Sequence, residues 1–213
     1  MQTASAIQPS HATQPLTASA APRFDIYCAI HKALRNFMGD TLFQIGRLDV
    51  SDPDEMTCAL GQVDDLLDLC ISHIHHENDF VHAAINARQP GGAAATERDH
   101  EEHMASIDRL RAQTRALRAA KLPARAPLAR RLYQHLALFV AENFEHMNVE
   151  ETVNNAALWA LYTDAELLAI DQRLMASVPP KEQVAMARWL MPALSPTERA
   201  MLLGGIKLAA PNE

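Results

Sequence analysis

Apolar residues recur along this chain at three- and four-residue intervals, and short polar, Pro- or Gly-containing stretches interrupt the pattern. From Arg23 to about Leu48, Phe24, Tyr27, Leu34, Met38 and Ile45 form the stripe of one helix. "DVSDPDE" follows, with Ser51 or Asp52 as N-cap and Pro53 at the first helical position. A second helix runs to about Arg88 with Leu60, Val63, Leu67, Cys70, Phe80 and Ala84 on its stripe, and "QPGGAAAT" ends it. Thr96 with Asp99 predicts the N-cap of a third helix, which continues through Ile107, Leu110 and Leu117 to about Ala120. "LPARAP" reads as the next break. A fourth helix covers roughly 128–161, with Leu132, Phe139 and Val153 on its stripe.

Four long helices joined by short breaks predict an all-α protein, an up-down-up-down antiparallel four-helix bundle over 23–161. Three shorter amphipathic segments predict a C-terminal helical extension over 162–213. Thr163 with Glu166 opens the first, two prolines precede the second, and Ser195, Pro196 and Glu198 open the third. The pattern leaves open whether they dock on the bundle or make a homodimer contact. Residues 1–22 are rich in Ala, Thr, Ser, Gln and Pro and nearly uncharged, and read as a disordered tail that includes His11.

The low aromatic share, 5%, agrees with a helical protein rich in Ala and Leu. A formal net charge of −7 argues against nucleic acid or an anionic membrane as partner. No apolar run reaches transmembrane length, and no basic leader with an apolar core opens the chain, so a cytoplasmic protein is expected. Cys28, Cys58 and Cys70 are odd in number and lack metal-type spacing, which fits a reducing compartment.

Ten histidines change the picture. In "SHIHHENDFVHAA", helical projection places His73 and Glu77 on the inward stripe with Cys70, Phe80 and Ala84. His75 falls on the polar face and His76 at the edge. His31 shares the first helix's stripe. On the third helix His103 lies four before Ile107 and His100 three before His103, so both can face in. On the fourth, His146 and Glu150 share a stripe with Phe139 and Val153, repeating the His-x-x-x-Glu spacing. Buried carboxylates and imidazoles without partners cost on the order of several kcal/mol each. A metal is the economical partner, and a mixed nitrogen and oxygen set suits iron first, then manganese or zinc. Six ligands exceed what one tetrahedral zinc uses and fit two metals bridged by the carboxylates.

The remaining candidates have plainer readings beside functional ones. Cys28 and Cys70 each lie three before a histidine and read as small buried hydrophobes or as neighbours of the metals. His76 and His82 read as hydrogen-bond partners of ligands, channel lining or solvated edge residues. Tyr27 reads as core, with a hydroxyl that could reach a bridging oxygen. Glu101 and Glu102 read as a solvated face, and His135 has no assigned role.

"IHKALR", "HIHHENDFV", "DHEEHMASI" and "HMNVEE" resemble, in this order and over about residues 24–160, the hemerythrin-like proteins, or HHE cation-binding domains. The resemblance implies a four-helix bundle holding a non-haem di-iron centre, bridged by two carboxylates and usually an oxo or hydroxo group. It implies His31, His73, His103 and His146 as terminal ligands and Glu77 and Glu150 as bridges. Oxygen-carrying members have His-x-x-x-His on the third helix. Here the position four before His103 is Asp99, and the nearest histidine, His100, stands as a further candidate ligand. Oxygen carriers place the last carboxylate five after its histidine, at Glu151; other members use the residue four after, Glu150, which shares the stripe. A histidine-rich set favours reversible binding or sensing of O2 or NO, or iron handling, over the oxidase chemistry of carboxylate-rich di-iron proteins. The alternatives are an enzyme that reduces NO or peroxide or repairs iron–sulfur clusters, and a helical interaction protein without a functional metal. Residues 1–22 lack the cysteine-pair motif that repair proteins often carry.

Overall fold

The computed structural model describes residues 23–209, so the tail expected over 1–22, with His11, lies outside the described residues. The described residues are all-α, with no strand among them. In chain order they form α1 (Cys28–Gly46), α2 (Pro53–His76), a π-helical turn (Glu77–His82), α3 (Ala83–Arg88), α4 (Ala94–Ala119) and α5 (Leu122–Val149). A second π-helical turn (Glu150–Asn154), α6 (Asn155–Leu161), α7 (Asp164–Ser177), α8 (Pro180–Ala193) and α9 (Pro196–Ala209) complete them. The backbone stays right-handed helical through both π turns. α2 to α3, and α5 to α6, are therefore each one helix with a widened turn inside it.

Local chemistry sets the ends. Asp52 is the N-cap of α2, its carboxylate accepting from the N–H groups of Asp54 and Glu55. Gly91 takes φ 77° in the turn after α3, where other residues would be strained. The Thr163–Glu166 capping box opens α7. Three boundaries differ from the sequence reading. α1 begins at Cys28, not Arg23, so Phe24 lies before it. α4 begins at Ala94, so Thr96 is a buried residue within it, its hydroxyl donating to Ala93 O. α5 begins at Leu122 and takes "LPARAP" inside. Pro123 sits in the first turn, where no N–H partner is needed, so only Pro127 forfeits a backbone bond.

α1 packs on α2, α2 on α4, α4 on α5, and α5 on α1. The core divides into two apolar clusters. The larger holds Leu34, Met38, Ile74, Ile107 and Met147, and the smaller holds Tyr27, Val81, Ile85, Ala93 and Leu158. α1 leads from Tyr27 in the smaller to Leu34 in the larger; α2 leads back, from Ile74 to Val81 beyond it. α4 leads from Ala93 to Ile107, and α5 from Met147 towards Leu158. Each passage crosses the same polar layer, at His31, Glu77, His100 and Glu150, all buried.

The C-terminal helices dock on this arrangement. Leu167 and Ile170 of α7 complete the smaller cluster. α8 lies along α1, with Trp189 stacked on Phe37 (ring centroids 4.0 Å apart, planes 10° from parallel) and Asn36 donating to Trp189 O. Lys32 of α1 pairs with Glu198 of α9 at 2.5 Å. Among the described residues no helix is long and apolar enough to cross a membrane. Trp189→Ala is expected to cost about 1–3 kcal/mol, less than a fully buried aromatic because the ring is half covered. Limited proteolysis should then cut earlier around 178–195; cleavage at the wild-type rate would contradict the docking role.

Candidate metal centre

The polar layer is built from the two His-x-x-x-Glu pairs. One helical turn separates each histidine from its carboxylate, so His73 Nε2 lies 3.2 Å from Glu77 Oε1, and His146 Nε2 lies 3.2 Å from Glu150 Oε2. α1 contributes His31, whose Nε2 lies 3.4 Å from both Glu77 Oε1 and Glu150 Oε2. α4 contributes His100, with Nε2 3.3 Å from Glu77 Oε2 and 3.9 Å from Glu150 Oε1. Both carboxylates are buried, Glu77 at 3% and Glu150 at 0% exposure.

Two groups of four side chains each hold their donor atoms within 4.8 Å of one another: His31, His73, Glu77 and Glu150, and Glu77, His100, His146 and Glu150. Each of these groups could hold a metal ion, and they share both carboxylates. Three buried atoms in them, His73 Nε2, Glu77 Oε2 and Glu150 Oε2, make no hydrogen bond of good geometry. His100 and His146 sharpen the point. Their Nε2 atoms are 2.9 Å apart. The Nδ1 of His100 faces Asn78 Oδ1 at 2.8 Å, and that of His146 faces Asp99 Oδ2 at 3.3 Å. Both acceptors place the ring hydrogen on Nδ1, which leaves two Nε2 lone pairs facing each other. A metal ion or a proton relieves that repulsion, so the donor set fits a cation.

An outer layer aims the rings. Glu151 accepts from His31 Nδ1 at 3.1 Å and is itself gripped by both arms of Arg35, at 2.5 and 3.1 Å. Burial raises the Glu151 carboxyl, but the bonds from His31 and Arg35 outweigh it and hold the pKa at about 2. Burial likewise pushes His31 down, and its bonds to Glu151 and Glu77 lift it to about 9. His73 is pushed down to about 4 by burial. Burial also raises Glu77, yet the surrounding histidines hold it well below the usual range. Tyr27 stacks on His31 at 5.2 Å; its phenol is pushed up by burial first and then by the charges of Glu150 and Glu77.

Every candidate named from the sequence, His31, His73, Glu77, His100, His103, His146 and Glu150, lies in or against this layer. His103, which the resemblance implies as the terminal ligand from α4, stands apart from both groups, and His100 supplies the α4 side chain in the second of them instead. The His103 ring meets His146 edge-on at 4.9 Å and Phe139 at 6.1 Å, and it lines a cavity of about 10 Å³ with Cys70, His73, His100, Asn143 and His146. That is room for about one water-sized molecule. Burial pushes the Cys70 thiol up to about 12, so it stays protonated. Glu101, Glu102 and His75 are exposed, as the periodicity predicts.

Sequence reasoning misjudged the residues beyond each carboxylate. Phe80 and Ala84 are only partly buried, whereas Val81, His82 and Ile85 are buried. Val153 is 62% exposed, whereas Asn154 and Asn155 are buried. The π turns start at Glu77 and Glu150, and each adds about one residue to its turn, which moves the stripe on by one. No three-and-four projection could find His82; the available signal was its position five after Glu77. The chain matches no protein-family model, and a search of curated proteins finds no match.

The pH dependence of the metal-free protein follows from these groups. His73 and His103, each held near about 4 by burial, stabilise the fold fully above their ordinary 6.5, and that contribution is lost as pH falls towards 4. His31, lifted to about 9, contributes fully below 6.5, and its contribution is lost as pH rises through 9. The urea midpoint of the metal-free protein is therefore expected to peak in the neutral range and fall on both sides. A midpoint that stays flat across this range would contradict the assignment.

Proposed function

We propose that the chain is a hemerythrin-like protein: an up-down-up-down antiparallel four-helix bundle of α1, α2–α3, α4 and α5–α6 that holds two iron ions in its core and binds or senses O2 or NO. The ring of packed helices and their alternating passage between the two apolar clusters support the bundle. One observation carries the site: two four-residue groups share Glu77 and Glu150, and each carboxylate has a buried oxygen without a partner. His31 and His73 would hold one ion, His100 and His146 the other, with Glu77 and Glu150 between them. Iron suits this set of imidazole and carboxylate donors, although another divalent metal would satisfy the same charges.

A bound iron pair would supply redox-active centres with an open position for a diatomic ligand. The chain's own side chains do the rest. Glu151, Asp99 and Asn78 fix the ring hydrogens of His31, His146 and His100 on the outer nitrogens, so the inner ones are free to coordinate. Leu34, Ile74 and Met147 line the cavity beside His73 and His146. Its size, room for about one water, excludes a metabolite. That restriction favours gas binding over an enzyme acting on a larger substrate. Reduction of NO or peroxide on the same site is the second reading, favoured by the same small cavity.

Anaerobically reduced, iron-loaded protein should change its visible spectrum on titration with O2 or NO and recover when the gas is removed. His73→Ala should lower metal affinity by about 10–100-fold or more, as loss of a metal-site side chain does. His75→Ala, on the exposed face of the same helix, should change neither metal content nor spectrum. Iron bound at full stoichiometry with no response to either gas would overturn the gas-binding reading. Full metal content in His73→Ala would overturn the site.

A further inference from the structure

His82 is the one buried histidine of this layer that lies outside both four-residue groups and yet contacts a shared carboxylate. Its side chain is fully buried, with Nε2 3.2 Å from Glu150 Oε1. Its Nδ1 lies 3.1 Å from Asn78 Oδ1, the same atom that accepts from His100 Nδ1. The rings of His82 and His100 stack, with centroids 4.9 Å apart and planes 18° from parallel. One acceptor thus fixes the tautomer of both, and both Nε2 atoms are turned towards Glu150.

The other neighbour of His82 Nε2 is Thr96 Oγ1, at 3.2 Å. That hydroxyl spends its hydrogen on Ala93 O, at 3.0 Å, and accepts from Asn154 Nδ2 at 3.1 Å. It has no hydrogen left for the imidazole. With the ring hydrogen on Nδ1, the Nε2 lone pair of His82 therefore faces two oxygen acceptors in a buried site. Three lone pairs converging without a donor is the arrangement that a cation resolves.

The π turn creates this geometry. Five residues of ordinary α-helix would set Glu77 and His82 roughly 140° apart around the axis. A turn with i→i+5 bonds brings them onto one face. Resting on the two-metal reading above, we propose that His82 is a further ligand of the divalent cation held by Glu77, His100, His146 and Glu150, giving that position one more imidazole than its neighbour at His31 and His73.

Co2+ serves as the probe, added to the full-length, metal-free chain, with stoichiometry read by titration and coordination by visible absorption. The wild-type protein is expected to take two Co2+ per chain. His82→Phe keeps a stacked ring and removes the nitrogen. It is expected to keep one Co2+ at wild-type affinity, to weaken the second at least tenfold, and to shift the visible bands of that site alone. His82→Gln keeps an N–H donor for Glu150 without an imidazole and is expected to behave as His82→Phe does. Two wild-type affinities and an unchanged spectrum in His82→Phe would overturn the ligand assignment. So would full recovery in His82→Gln, which would make His82 a hydrogen-bond donor. A wild-type chain that binds no Co2+ would overturn the two-metal reading itself. If His82→Phe fails to fold, by circular dichroism, His82→Gln decides alone.

Discussion

The structure turns on two buried carboxylates, Glu77 and Glu150, facing one another in one layer. Burying one unpaired charge costs on the order of several kcal/mol, and two like charges in one layer add their repulsion. Histidines surround the pair from four helical directions, at His31, His73, His100 and His146, with His82 beside them. Imidazoles alone leave the layer short of donors, because the outer nitrogens of His31, His82, His100 and His146 are already committed to Glu151, Asn78 and Asp99. In the metal-free layer His31, lifted to about 9, is a counter-charge to the two carboxylates, and two cations shared by them would supply the rest.

The helices hold this layer between two apolar clusters, which is why it can be polar and still be a fixed part of the core. The apolar residues above and below fix the height of each buried histidine and carboxylate on its helix. The π turns then set direction: both begin at a shared carboxylate, and both turn an extra polar side chain inward, His82 in one and Asn154 in the other. Widened turns cost backbone geometry. Their placement at Glu77 and Glu150 ties that cost to the site.

Much of this was legible from spacing alone. The four inward histidine positions and the repeated His-x-x-x-Glu followed from a 3.6-residue period, since the helices are regular up to each carboxylate. Glu150, on the inward stripe, is buried, whereas Glu151 reaches out to Arg35. Legibility stopped at the π turns. Past Glu77 the projection chose Phe80 and Ala84 and left His82 undecided; past Glu150 it chose Val153. It also could not rank His100 against His103, which lie three apart and both point inward, so that only the packed positions of His146 and Asn78 separate them. "LPARAP" reads as a break, yet the helix runs through it, because Pro123 sits in the first turn and Pro127 forfeits only one backbone bond.

On the proposed reading, two metal ions complete the buried layer. Elemental analysis of the purified full-length chain, made in iron-replete cells and freed of loosely held metal by desalting, tests it most directly. Two metal ions per chain, with iron the main one, are expected. A well-folded chain with none would contradict that reading and leave the surrounding histidines, His31 first, as the counter-charge to Glu77 and Glu150.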